Sequence, residues 1–479
     1  MGRRQRRLVA VALALAMFVP GVAAAQPAAQ PGAQSGPPAT APVGPGVNQG
    51  RFAVESQRLA DGLQVALADA GWDDLVDHSV RVGGVAQPIR ALPNVDVAVI
   101  ELDRQGHVVG AANVLLDRDK PEGLQVRLDP RTLEAQGIEF TQWRTARWST
   151  QSAWDAGPAP DDVLAGAGSD VEFMVPYPAS VLKVMVAYAV LRLVDRGIVD
   201  LDTPVFNAPP SCGNAGQTRT VEEWLDAMIT VSGNGPTCAL LQLIHREGEL
   251  EEANRHFVED LELATFRMVP GNIPNGSTWL DEPARMTMGA MDTARFMLLV
   301  AGSAKNLYRG PDGSPLREDV LSERSRSVFQ RLLAEQGFHE VLSTGLLCGS
   351  PDTVPGIPAL VPDRFISPST GHGVVAGIDF GYDVRPCNET AEVTFAHKTG
   401  LISVAGNDTG IVRALPGGDG RWYVVALHAS VGSRFSDTAF AASQPNACFG
   451  PPFVCYPSAY ARMGAAIDQL VKDRPRNVR

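Results

Sequence analysis

A lysine inside an otherwise apolar run constrains this chain more than any other feature. Residues 179–194 contain neither Gly nor Pro and are almost wholly apolar, yet they include Lys183. The run reads as a buried helix that opens near Pro178, a residue suited to a first turn. An unpartnered ammonium in such surroundings is costly, so Lys183 must be paired or must lose its charge. Three residues earlier stands Ser180, on the same helical face. A serine hydroxyl is a weak nucleophile and needs a base within hydrogen-bond reach. A desolvated lysine, its pKa pushed down, can be that base. At a helix start, backbone N–H groups without intrahelical partners can also hold a developing oxyanion.

Two later motifs supply what a serine and a lysine lack. Ser232-Gly233-Asn234 offers a hydroxyl that can pass a proton to a leaving nitrogen. It also offers an amide able to bond both Lys183 and a substrate amide. Lys398-Thr399-Gly400 follows Val393-Thr394-Phe395-Ala396, whose β-branched and aromatic residues read as a strand. On a strand Lys398 and Gly400 share one face while Thr399 points to the other. Gly400 lets the backbone approach a ligand closely, so the N–H of Leu401 is a candidate second oxyanion donor. Lys398 brings positive charge for a substrate carboxylate. Each motif alone recurs by chance in chains of this length. Lysine usage adds weight, because the chain has only five lysines (120, 183, 305, 398, 472) and two of them fall in the motifs.

The order Ser-x-x-Lys, Ser-x-Asn, Lys-Thr-Gly resembles that of serine enzymes acylated by β-lactams, namely the class A β-lactamases and the related low-molecular-weight penicillin-binding proteins. The resemblance runs from about residue 95 to the C-terminus. Val97 to Leu102 and His107 to Asn113 are similar to the family's first hairpin, and Met286-Thr287-Met288-Gly289-Ala290-Met291 resembles the helix after its Ω-loop. Thr409 to Leu415 and Trp422 to Leu427 read as two more strands, and residues 460–472 as a closing helix. The resemblance implies an α+β fold: a five-stranded antiparallel sheet flanked by terminal helices, plus an all-helical lobe bearing Ser180 and Ser232. It implies Ser180, Lys183, Ser232 and Lys398 as catalytic residues, and Asn234, Thr399, Gly400 and Leu401 as substrate-binding ones.

Three departures bear on mechanism. The resemblance leads one to expect a Glu-x-x-Asn in the Ω-loop, whose glutamate activates the deacylating water. The matching stretch, residues 265–275, has no carboxylate. Glu251-Glu252-Ala253-Asn254 fits literally but comes too soon after Ser232 and reads as a solvated helix face. Asp281 and Glu282 read as acidic residues before the next helix, where they suit its dipole. Second, Thr409 stands where many class A enzymes place a carboxylate-binding arginine. Third, Ser180 and Lys398 lie 218 residues apart, which points to an insertion near 349–391, rich in Pro and Gly. Another is expected near 116–168.

The ends of the chain speak to compartment. Residues 1–25 combine a basic start, an apolar stretch and Ala23-Ala24-Ala25, the pattern of a secretory signal peptide. Residues 26–49, rich in Pro, Ala, Gly and Gln, read as a flexible tether. Residues 50–94 read as an N-terminal helical segment, and 95–475 as the catalytic domain. Secretion or a place in the periplasm or cell envelope is expected, with the six cysteines forming disulfides. Sequence proximity suggests Cys212–Cys238, Cys348–Cys387 and Cys448–Cys455, among many connectivities. No cysteine or histidine pattern has metal-ligand spacing, and His397 beside Lys398 reads as structural. No cofactor is expected. The net charge of −12 argues against nucleic acid as a partner. A monomer is expected, acting on a β-lactam or a peptidoglycan peptide.

Three readings stay open from sequence. One is a serine β-lactamase that opens the lactam through an acyl-enzyme on Ser180. The second is a D-alanyl-D-alanine peptidase or transpeptidase, acylated in the same way but slow to shed a β-lactam. The third is a penicillin-binding sensor without turnover.

Overall fold

The computed structural model describes residues 49–209, 212–268, 286–301, 320–351, 353–443 and 457–474, all within one compact unit, Val43–Arg479. The expected signal peptide and nearly all of the expected tether lie outside the described residues. So do Asp281, Glu282, Cys448 and Cys455.

The main sheet is antiparallel. Its strands are β1 (Val95–Leu102), β2 (Val108–Asp117), β3 (Lys120–Gln125), β4 (Val393–Ile402), β5 (Ala405–Ala414) and β6 (Trp422–Ala429), in the spatial order β4-β5-β6-β1-β2-β3. Five of these follow the expected layout. The sixth, β3, is a short edge strand in the connection after β2 that pairs Leu124 with Leu115. The helices that cover the sheet are α1 (Gln49–Asp69), α2 (Lys183–Asp195), α3 (Val221–Ile229), α4 (Asn234–Arg246), α5 (Ala290–Ala301), α6 (Glu323–Ala334) and α7 (Ala459–Lys472).

Strand alternation sorts the core into two layers. Ala98, Ile100, Leu102, Val424 and Ala426 face the helical lobe built from α2 to α6. Val95, Val97, Val99, Val425 and Leu427 face α1 and α7. Every residue of β1 is therefore buried, as a strand covered on both faces requires. Leu59, Leu63 and Leu67 on α1 meet this second layer, spaced as one helical stripe. This makes α1 a terminal helix of the sheet.

After α1 the expected helical segment 50–94 changes character. Leu75–Val82 and Val85–Pro88 form a hairpin, joined on its other edge by Phe435–Asp437. Gly83 and Gly84 turn it with φ of 59° and 84°, the conformation a two-residue hairpin loop demands.

The two long connections build the walls around the lobe. In the first, Ile138–Gln142 pairs in parallel with Val171–Val175 and antiparallel with Val163–Ala165. The strand Val171–Val175 delivers the chain directly to Tyr177 and Pro178. In the second, Phe365, Val375 and Phe380 form a small core with Leu346 and Val361, against which Val231 and Phe338 pack. The Cys348–Cys387 disulfide closes this region, and Cys212–Cys238 braces the start of α4, with Cα separations of 6.0 and 6.1 Å. Among the described residues no helix is long and apolar enough to cross a membrane. Nor does any group of three or more His, Cys, Asp or Glu side chains among them form a metal cluster.

Candidate active site

The residues before Lys183 do not continue its helix. Ala179–Leu182 forms a 3-10 turn, and α2 begins at Lys183. The cause is Ala179, held at φ 46°, a region unfavourable to a residue with a Cβ. The turn is closed by Val181 N–H donating to Pro178 O at 3.0 Å. In a 3-10 turn side chains at i and i+3 eclipse. Lys183 Nζ is thereby brought 2.9 Å from Ser180 Oγ. Ser232 is a second left-handed residue, at φ 57°. Backbone strain of this kind costs about 1–3 kcal/mol per residue and collects at functional sites.

Lys183 is the hub of the constellation. Its Nζ donates to Ser232 O at 2.6 Å and to Asn234 Oδ1 at 2.9 Å, and lies 3.2 Å from Ser232 Oγ. Asn234 opens α4, so the lobe's own helix start aims its amide at Lys183. From the sheet, Lys398 Nζ on β4 donates to Ser232 Oγ and to Thr399 O, both at 2.9 Å. Ser232 Oγ thus bridges the two lysines. Both lysines are fully buried. Burial, with the Lys398 charge nearby, pushes Lys183 well below the ordinary lysine pKa. Burial brings Lys398 down to about 7, against the opposing pull of Asp408 and Glu340. A neutral Lys183 has two N–H groups and one lone pair. Ser232 O and Asn234 Oδ1 can only accept, so they take the N–H groups and leave the lone pair to the Ser180 hydroxyl.

The strand is clamped against the nucleophile turn. A Cβ on Gly400 would lie 2.6 Å from Pro178 O and 2.8 Å from Ser180 N, so only glycine permits this approach. Asn407 on β5 completes the clamp, donating from Nδ2 to Tyr177 O at 3.1 Å and to Gly400 O at 3.2 Å. We expect Gly400→Ala to slow covalent labelling of Ser180 by about a hundredfold, because a shift of about 1 Å in a reacting pair has that cost. Labelling kinetics on the folded variant check this.

These elements enclose a cleft of about 380 Å³. Ser180, Ser232, Asn234, Thr399 and Leu401 line it, and so do Tyr177, Phe338 and Glu340. Strand alternation alone places Thr399 away from Lys398. Thr399 lines the cleft on the edge strand β4, while Lys398 is fully buried and touches the cleft lining through Ser232 Oγ. All eight expected site residues come together here. The sequence reading missed Asn407, Phe338 and Glu340. A signal existed for the first: Asn407-Asp408-Thr409 are three consecutive polar residues in the strand Ala405–Ala414, and buried polar groups hold partners. For Phe338 and Glu340 no local pattern marks the spot.

Other tempting residues lie elsewhere. His397 is buried and bonds Asp408 Oδ1 at 2.8 Å, with Phe395 stacked on its ring. Glu251 is exposed. Asn254 exchanges two bonds with the backbone of Met268, at 3.1 and 2.7 Å, and so ties down the start of the loop. Thr409 donates to Val425 O at 3.0 Å and is spent within the sheet.

No curated protein matches the chain. Among solved structures, PBP-A is 19% identical over 61% of this chain and 80% of its own, with a TM-score of 0.37. A β-lactamase from Chitinophaga pinensis is 18% identical over 62% and 85%, with a TM-score of 0.37. The extended-spectrum β-lactamase TLA-1 is 14% identical over 88% and 98%, with a TM-score of 0.42. The family model described as the β-lactamase enzyme family matches residues 172–441, more than half of the 479 residues. That match takes in Ser180, Lys183, Ser232, Asn234, Lys398 and Gly400, and the chain belongs to the β-lactamase enzyme family.

Proposed function

We propose that this protein is a secreted serine acyltransferase-type hydrolase that is acylated on Ser180 by β-lactams, and that it sheds the acyl group slowly. The observation that carries the reading is the desolvated Lys183 amine 2.9 Å from Ser180 Oγ, with its N–H groups taken by Ser232 O and Asn234 Oδ1.

In this reading Ser180 Oγ attacks the lactam carbonyl carbon while its proton passes to Lys183 Nζ. The backbone N–H groups of Ser180 and Leu401 hold the oxyanion. The C–N bond breaks, and the nitrogen receives the proton from Lys183 by way of Ser232 Oγ. Ser232 can relay because it lies between Lys183 and Lys398, at 3.2 and 2.9 Å. Lys398 and Thr399 receive a substrate carboxylate, and Asn234 orients the substrate amide. Water then attacks the ester carbonyl, releases the acid and returns the proton to Ser180.

That last step needs a base, and residues 265–275 supply no carboxylate. This favours a penicillin-binding peptidase over an efficient β-lactamase. The test is intact mass against time after mixing with excess benzylpenicillin and removing free drug. An adduct that persists for hours is the expected result. One that vanishes within seconds, with the drug hydrolysed, makes the protein a working β-lactamase with another deacylating group. No adduct at all sinks the acylation reading.

A further inference from the structure

A row of polar side chains crosses the main sheet and ends at Gly400, beside the nucleophile turn. Gly400 on β4 stands opposite Asn407 on β5, Asn407 opposite His428 on β6, and His428 opposite Asp96 on β1. Such cross-strand partners share a face of the sheet. Asn407 and His428 are fully buried, and so is Thr293 on α5. Asp96 accepts from Asn113 Nδ2 at 2.7 Å and from Ala290 N–H at 2.8 Å, and so holds the start of α5 over the row. The remaining bonds form one chain. Asn407 Nδ2 donates to Tyr177 O and Gly400 O. Its Oδ1 accepts from Ala429 N–H at 3.3 Å and faces His428 Nδ1 at 3.2 Å. The other ring nitrogen, Nε2, lies 3.2 Å from Thr293 Oγ1.

The partners settle where each hydrogen lies. Tyr177 O and Gly400 O only accept, so the Asn407 amide presents its N–H groups to them and its oxygen to His428. His428 therefore donates from Nδ1. Burial holds its pKa down to about 3, so the ring is neutral near pH 7 and Nε2 is an acceptor. Nε2 takes the Thr293 hydroxyl, since Gly289 O, the other acceptor within reach of that hydroxyl, already receives the Thr293 N–H at 2.9 Å. We propose that His428 is a positioning residue for acylation, holding the Asn407 amide in the one orientation that ties the nucleophile turn to β4. Turned over, the amide would set its oxygen against two carbonyls and release both. The hold reaches the reacting atoms at two points. Tyr177 O fixes the chain just before the turn that bears Ser180. Gly400 O fixes the plane of the Gly400–Leu401 peptide, whose N–H points opposite to that carbonyl. Because β4 is the edge strand, that N–H is aimed away from β5, to the open side where the acyl oxygen is held.

The inference rests on acylation at Ser180 and is tested on the full chain with benzylpenicillin. The concentration dependence of labelling separates the dissociation constant of the initial complex from the acylation rate constant. His428→Leu fills much of the space but cannot donate. It should lower the acylation rate constant about a hundredfold, the cost of a shift of about 1 Å in a reacting pair, with the dissociation constant little changed. His428→Asn is smaller, yet puts an amide N–H where Nδ1 stood, and should restore most of the rate. A merely structural role predicts the reverse order, since asparagine leaves the larger cavity. Thr293→Val keeps the shape and removes the hydroxyl that fixes the ring tautomer. It should slow acylation about tenfold, the worth of one net hydrogen bond, and Thr293→Ser should not. A native rate in His428→Leu, an equal loss in His428→Leu and His428→Asn, or a change confined to the dissociation constant overturns the proposal and leaves acylation standing. If His428→Leu does not fold, the Thr293 pair decides, and equal rates in its two variants overturn the proposal. Absence of a Ser180 adduct in the native protein overturns acylation and this inference together.

Discussion

Ser180→Ala should abolish the covalent adduct with benzylpenicillin entirely while the protein stays folded. The loss is complete because no other group in the cleft stands in the same relation to a base. Ser232 Oγ is the nearest alternative, but Lys398 donates to it at 2.9 Å, and a hydroxyl that accepts from an ammonium is a poorer nucleophile. Folding survives because the hydroxyl contributes little to the site's framework. Lys183 keeps Ser232 O and Asn234 Oδ1 as partners, Gly400 keeps its contact with the turn, and Asn407 still holds Tyr177 O. Intact mass with excess drug reads the adduct, and thermal unfolding checks the fold. An adduct on the alanine variant would move the nucleophile to another side chain, with Ser232 the first to test.

The sequence disclosed the site more fully than the fold, for a physical reason. Ser180 and Lys183 are tied by local geometry, and a buried lysine in an apolar run advertises itself. The central strands were legible as short runs of β-branched and aromatic residues between turns, and α7 because its apolar residues recur at helical spacing. The 3-10 turn was not legible, since it depends on Ala179 at φ 46°, and alanine gives no hint of a left-handed backbone. The hairpin after α1 did leave a trace in Gly83-Gly84, which the helical reading of residues 50–94 passed over. Strand β3 was hidden because its Pro and Glu, in Lys120–Gln125, disfavour a strand; pairing with β2 at the sheet edge overrides them. Glu340 and Phe338 reach the cleft through tertiary packing alone, brought there by the bonds of Gln336 to Ile229 O and of Gly337 to Thr230 O.

Lys183→Ala should slow acylation of Ser180 by about a thousandfold or more, within the range of about 10²–10⁴ that a positioned general base supplies. Each factor of ten corresponds to about 1.4 kcal/mol of barrier. The base must be neutral to accept the serine proton, and burial, with the Lys398 charge behind it, holds Lys183 well below the ordinary lysine value. Native acylation should therefore rise with pH as Lys183 loses its proton. For a carboxylate-bearing drug it should fall again as pH rises through about 7, where Lys398 loses its charge. Lys183→Ala removes the rising limb and leaves the falling one, because Lys398 remains. The truncation also leaves Ser232 O and Asn234 Oδ1 without their donor, at a cost of about 1–3 kcal/mol for each buried group left unsatisfied. Rates must accordingly be read on protein shown to be folded, and the pH profile is the decisive readout, since general destabilisation would lower both limbs together. If the alanine variant acylates at the native rate with its rising limb in place, the proton goes to another group, and the 2.9 Å contact between Lys183 and Ser180 serves packing alone.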